Sequence, residues 1–128
     1  MTRPVIIITG TPGWAERARA AVDADWRAYS DRAGYVARLA DDGAALILVD
    51  GADPEWRGWA VTPRTSPATR RVPIVLVSDD ADVIAQAELS GVTAALSPDA
   101  IDAELAGLIA ELARVPDPAA QAELARQC

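Results

Sequence analysis

Three runs of aliphatic residues limit what this chain can become: Val5-Ile6-Ile7-Ile8, Ala45-Leu46-Ile47-Leu48-Val49 and Pro73-Ile74-Val75-Leu76-Val77. Each is short and lacks polar alternation. A strand of that kind has to be covered on both faces, the condition met inside a parallel sheet. A parallel sheet needs long crossovers, and the spacers between the runs can hold helices. Two weaker segments complete the set. Asp25-Trp26-Arg27-Ala28-Tyr29-Ser30 alternates large and small residues and reads as a short strand. Placing that strand at Tyr35–Leu39 instead would leave no room for a crossover helix before Ala45. Val92-Thr93-Ala94-Ala95-Leu96 is the fifth strand.

The spacers carry helix signals. Thr11 as N-cap and Pro12 at the first position open a helix with Trp14, Ala18, Ala21 and Val22 on one face. Residues 31–41 form the second, with Tyr35, Val36, Leu39 and Ala40 apolar. Ala52 to Val72 reads as irregular, because Pro54, Pro63 and Pro67 allow only a turn or two near Trp56–Ala60. Ser78, Asp79 and Asp80 are N-cap candidates for a helix over Ala81–Ser90 that Gly91 closes. Within it Val83, Ile84 and Ala87 are expected to face the core. Ser97 caps the last helix, whose stripe is Ile101, Leu105, Leu108, Ile109 and Leu112. The expectation is one α/β domain over residues 1–114, doubly wound, followed by a tail at 115–128 with helical composition.

Composition removes several mechanisms. The chain has 128 residues, a formal charge of -7 and no His. Its 12 basic residues are all Arg. His-based acid–base chemistry, His metal ligation, a P-loop Lys and a Schiff-base Lys are therefore excluded. The single Cys, Cys128, is the last residue, so no internal disulfide forms. Such an acidic surface repels nucleic-acid backbones and anionic membranes. No apolar run reaches membrane-spanning length and the N-terminal run is short for a signal peptide, so a cytoplasmic protein is expected.

In sheets of this type chemistry gathers at the carboxyl ends of the strands. The residues there are Thr9-Gly10, Asp50-Gly51, Ser78-Asp79 and Ser97-Pro98. Thr9-Gly10-Thr11-Pro12-Gly13 lacks the third Gly of a dinucleotide fingerprint and reads first as a tight strand-to-helix turn, with small-ligand binding as a further alternative. Asp53, Asp79 and Asp80 lie near the same ends. They either rebuild a cation site with Asp50 or cap local structure.

The order of elements and several residues resemble the receiver domain of two-component response regulators, over about residues 4–114. Leu46-Ile47-Leu48-Val49-Asp50 resembles the buried strand that ends in the phospho-accepting Asp, followed at matching spacing by Pro54 and Gly58. Pro73 and Ser78 match the ends of the fourth strand, and Gly91 and Pro98 match the Gly and Pro that flank the fifth. The resemblance implies a flavodoxin-like sandwich, a five-stranded parallel sheet with helices on both faces, and a third helix short or missing. It implies a signalling role without enzyme activity, with Asp50 as phosphoacceptor candidate and Ser78 as phosphate-contact candidate.

The departures from the family are chemical. The two acidic positions after the first strand are matched by Thr9 and Gly10, and the Lys before the Pro is matched by Ser97. The aromatic switch position maps to Ala94 or Ala95. Phosphoryl transfer needs cationic neutralisation of the moving oxygens. A lone carboxylate is a poor Mg2+ site, so no metal or cofactor is expected. The resemblance therefore implies a pseudo-receiver that acts by protein–protein interaction, with a phosphorylatable regulator as the alternative. The implied partners are a histidine kinase, another protein or a second copy docking on the last two helices, where Ala103, Ala106 and Ala110 permit close packing. Arg64, Arg70 and Arg71 form a basic patch that reads as a solvated loop or a docking site, and Trp56 and Trp59 cover the sheet beside it or anchor an interface.

Overall fold

The aliphatic runs do become the buried centre of a sheet. A computed structural model describes residues 5–10, 12–30, 33–67 and 69–113. In it the strands are β1 Val5–Thr9, β2 Asp25–Tyr29, β3 Leu46–Asp50, β4 Ile74–Val77 and β5 Ala94–Leu96. All neighbours pair in parallel, in the order β2-β1-β3-β4-β5. The helices are α1 Ala15–Ala21, α2 Tyr35–Asp42, α3 Trp56–Val61, α4 Ala81–Leu89 and α5 Ile101–Ala113. The chain runs from β1 to one edge through β2 and then reverses to β3, β4 and β5. The reversal opens a crevice at the carboxyl ends of β1 and β3.

Alternation along the strands feeds two cores. Ile6, Ile8, Leu46, Leu48, Val75 and Val77 share a core with Trp14 at the cap of α1, Ala18 of α1, and Ile101, Leu105 and Ile109 of α5. Ile7, Ile47, Val49, Ile74 and Leu76 point the other way, onto Tyr35, Leu39, Trp56, Trp59 and Ala87. Every one of these strand residues is at most 1% exposed. The sheet is thus covered on both sides, as its unbroken hydrophobicity requires.

Several local expectations change. Thr11, the expected cap of α1, lies outside the described residues. The helix starts later than Pro12, at Ala15, with Trp14 at the cap position and no side-chain cap. Asp31 and Arg32 are also outside, and α2 starts at Tyr35 after Gly34 rather than near 31. β5 is shorter than Val92–Leu96, because the Val92 amide donates to Ala87 O at the end of α4. α5 is preceded by a 3-10 turn, Pro98–Ala100, in which Ser97 Oγ accepts from Asp99 N at 3.3 Å. Asp80 is the cap of α4, accepting from the amides of Asp82 and Val83. Within that helix Ala87 is buried, whereas Val83 and Ile84 are only partly buried against the core. Residue 114 and the tail at 115–128, with Cys128, lie outside the described residues.

The third helix is present. It runs Trp56–Val61 and tightens into a 3-10 turn at Thr62–Thr65. Pro63 explains both the ending and the turn, since it has no N–H to give the carbonyl four residues earlier. That carbonyl is Trp59 O, and Tyr35 Oη donates to it at 3.0 Å instead. Trp56 and Trp59 are buried, at 7% and 2% exposure, as a cover for the sheet. Arg64 is no solvated loop residue. It donates to Gly91 O at 3.0 Å and to Arg70 O and Val72 O at 2.7 Å each, fastening the 3-10 turn to the approaches of β4 and β5. Arg70 and Arg71 remain exposed.

Candidate functional site

The ends of β3 and β4 are held almost in contact. Gly51 N donates to Val77 O at 2.9 Å, and a Cβ placed on Gly51 would stand 2.5 Å from Ser78 Cβ. Only Gly allows the two chains to come this close. Above them lies a cavity of about 530 Å3 whose walls include Trp14, Arg17, Asp50, Ser78, Asp79 and Asp80. The crevice is thus built from the first helix, two strand ends and the loop that opens α4.

Asp50 is partly buried at the end of β3, and its Oδ1 accepts from Ala52 N at 3.1 Å. Its own amide donates to Thr9 Oγ1 at 3.4 Å. Thr9 is fully buried, so its hydroxyl serves the sheet and does not line the cavity. Gly10 has φ +71°, which suits a glycine, and Asp53 Oδ2 lies 3.7 Å from where its Cβ would be. The Asp53 carboxylate therefore approaches the place where the receiver family carries an acid on the first strand, but it arrives from the loop after β3. Its other oxygen accepts from Glu55 N at 2.9 Å. Ser78 is 8% exposed and its Oγ accepts from Asp80 N at 3.1 Å, leaving the hydroxyl proton to point elsewhere. Ser97 is occupied with its own turn and stays outside the cavity wall, to which Pro98 contributes.

Of the strand-end residues singled out in the sequence, Asp50, Ser78, Asp79, Asp80 and Pro98 line this crevice and Thr9, Gly10, Asp53 and Ser97 do not; the wall also holds Arg17 and Trp14. Arg17, one helical turn beyond Trp14, is the only cationic side chain in the wall among the described residues. Its Nε and Nη2 donate to Asp102 Oδ2 of α5 at 3.2 and 2.9 Å, and that bond raises its affinity for the proton further. Trp14 was assigned to the core stripe alone. It is 7% exposed, and among the described residues its Nε1–H finds no partner. Trp26, by contrast, donates from its indole to Val22 O at 2.9 Å. A chain without Lys must use a guanidinium for any cation at this crevice, but nothing local singles out Arg17 among its 12 Arg residues.

Mg2+ asks for several hard oxygens in octahedral geometry. Among the described residues no group of three acidic or other metal-ligating side chains is placed to hold an ion. Asp50, Asp53, Asp79 and Asp80 do not converge, because Asp53 and Asp80 are turned to cap neighbouring amides. The residues present therefore do not fit the metal that the receiver resemblance implies.

No family model matches the chain, and no curated protein matches it either. Solved structures do. The signal receiver domain of a signal transduction histidine kinase from Syntrophus aciditrophicus is 17% identical, with a TM-score of 0.74 over 91% of this chain and 94% of that one. A response regulator receiver domain from Rhodospirillum rubrum is 23% identical, with a TM-score of 0.64 over 88% and 97%. The Mn2+-bound form of a response regulator is 17% identical, with a TM-score of 0.65 over 90% and 99%. The five-stranded parallel sheet with helices on both faces is what this chain shares with them. Its fold is that of the response-regulator receiver domains.

Proposed function

We propose that this chain is a receiver-like signalling module that has given up phosphotransfer at its strand-end crevice and acts by binding other proteins. The observation that carries this is the surroundings of Asp50. The end of β1 beside it carries Thr9, followed by Gly10, and the residue after β5 is Ser97. A phosphoryl group delivered to Asp50 would meet Asp79 and Asp80 in the same wall and a single guanidinium already paired to Asp102. Charge compensation of the transferring oxygens is the main catalytic need in that reaction. A binding role in the cytoplasm, without enzymatic turnover, fits what is left.

Exposed small and aliphatic side chains on the last two helices support docking there. Leu89 at the end of α4 is 91% exposed, and Ala103, Ala106 and Ala110 lie exposed along α5. A histidine kinase or a second copy of the chain would meet this face. Among the described residues no helix is long and apolar enough to cross a membrane.

The test is treatment with acetyl phosphate and Mg2+ followed by intact-mass measurement. The expected result is an unmodified protein. A labile phosphoryl adduct that disappears in Asp50→Ala would overturn the proposal and make Asp50 a working acceptor with Ser78 beside it.

A further inference from the structure

Charge is spread unevenly over this acidic chain. Residues 56–78 hold Arg57, Arg64, Arg70 and Arg71 and no Asp or Glu, in a sequence with 19 acidic and 12 basic residues. The fold divides these arginines. Arg64 is spent on the carbonyls of Gly91, Arg70 and Val72. Arg57, Arg70 and Arg71 are exposed. Arg57 lies over the Trp56 ring, 5.5 Å from its centroid. Among the described residues the side chains of Arg70 and Arg71 have no hydrogen-bond or ion-pair partner.

The exposed large hydrophobic side chains flank the same place. Among the described residues they are Val61, 42% exposed, and Leu89, 91% exposed. Val61 lies one turn after Arg57 on α3, so the two share a helix face. It is followed at once by the 3-10 turn that carries Arg64. Leu89 ends α4 just before Gly91, whose carbonyl Arg64 holds. The Arg64 contacts therefore join the end of α3, the end of α4 and the turn with Arg70 and Arg71. The backbone there is fixed in advance: Thr69 Oγ1 donates to Pro63 O at 2.7 Å and Arg70 N to Ser66 O at 2.9 Å. A partner would not have to order a loop, which removes one of the usual costs of association.

Charge complementarity names the partner. Guanidinium groups pair with carboxylates in a planar two-bond geometry, and arginine is enriched among the residues that anchor interfaces. Nucleic acid or an anionic membrane would extend past the patch and meet the acidic remainder of the surface. A short segment can place its carboxylates on the arginines and its aliphatic side chains on Val61 and Leu89 without reaching further.

We propose that the surface formed by Arg57, Val61, Leu89, Arg70 and Arg71 docks an acidic segment of another protein that carries aliphatic anchors. This goes beyond the reading of the Asp50 crevice and does not depend on it. Leu89 belongs to α4, and so also to the face of the last two helices, and is left unchanged in the test.

The full chain is titrated, by fluorescence anisotropy, against a dye-labelled peptide of glutamate and leucine with its leucines on one helical face. The comparison arms are the same peptide with lysine for glutamate, polyglutamate, phosphatidylserine vesicles and a DNA duplex. The expected result is saturable binding of the first peptide that weakens as salt is added, and binding at least about tenfold weaker in every other arm. The double variant Arg70→Ser with Arg71→Ser, and the single variant Val61→Asp, each folded by circular dichroism, should weaken the first peptide about tenfold. Ala106→Asp on α5 should leave it unchanged. No binding of the glutamate–leucine peptide would overturn the proposal. So would vesicles or duplex binding as tightly, or unchanged affinity in the double arginine variant. Loss of binding in Ala106→Asp would also overturn it, and would give the docking to the last two helices.

Discussion

Two polar clusters in this molecule use arginine and buried donors in opposite ways. At the Arg64 staple, three backbone carbonyls from two stretches of chain converge on one guanidinium. Burial pushes its pKa below the ordinary arginine value, yet it stays charged at any physiological pH. At the Asp50 crevice, Arg17 is 44% exposed at its side chain and Trp14 keeps a buried donor unmatched. Buried polar groups that serve the fold are saturated, because an unmet group costs more than a met one gains. An unmet group such as the Trp14 indole N–H is held in place by the surrounding packing at a cost to stability. The contrast separates scaffold from site without reference to any relative.

The sharpest way to break this comparison is at the staple. Arg64→Ala strands the Arg70, Val72 and Gly91 carbonyls and should cost about 3 kcal/mol in urea denaturation. A loss under about 0.5 kcal/mol would mean that water replaces the guanidinium freely and that the cluster is not scaffold.

Next comes the contact that shapes the crevice floor. Gly51→Ala forces a Cβ to within 2.5 Å of Ser78 Cβ and should destabilise by about 2 kcal/mol. Adding Ser78→Gly should make the double variant more stable than the sum of the singles by about 1 kcal/mol. Strict additivity in that cycle would show that the two strand ends part easily.

Tyr35 tests the saturated side at high pH. Burial is the largest cause that raises its pKa well above the ordinary tyrosine value, with the nearby Tyr29 adding to it. A folded pKa above the unfolded one, near 10, gives stability that is fully present below pH 10 and lost as the pH climbs beyond it. Tyr35→Phe should lower stability by about 1 kcal/mol at neutral pH through loss of the bond to Trp59 O, and flatten the alkaline decline. An identical pH profile in variant and parent would refute the assignment.

The smallest effects belong to the crevice. Trp14→Phe keeps the ring against Ile6, Ile8 and Leu105 while removing an unmatched donor, so its stability should stay within about 1 kcal/mol of the parent. Asp102→Asn, at an exposed pair, should leave the melting temperature unchanged. A large loss in either variant would move these residues to the scaffold side of the comparison.

Much of the architecture was legible before any coordinates. The strands from Val5, Leu46 and Ile74 announce themselves because unbroken aliphatic runs have only one stable home in a small domain. β2 at Asp25–Tyr29 was legible through spacing, as the crossover to β3 needs the helix that Tyr35–Asp42 provides. The short third helix was legible too: the prolines allowed only a turn or two near Trp56–Ala60, and Trp56–Val61 is that length, with Pro63 converting its end to a 3-10 turn. Asp50, Ser78, Asp79 and Asp80 were placed together by the rule that strand ends share an edge of the sheet. Arg17 was invisible for a different reason: a solvent-facing arginine on a helix carries no local signal of the neighbour it will meet.

The chain's composition determined which chemistry is absent, since no fold can create a lysine or histidine that the sequence lacks. Its hydrophobic pattern determined a two-sided parallel sheet, because burial of such runs depends only on local side-chain spacing. Tertiary structure alone decided that the Trp14 indole would be sealed without an acceptor among the described residues, that Arg17 would reach Asp102 85 positions away, and that Gly51 would lie against Ser78. These outcomes depend on how α1 and α5 pack against the ends of β3 and β4, and distance along the chain carries no record of such packing.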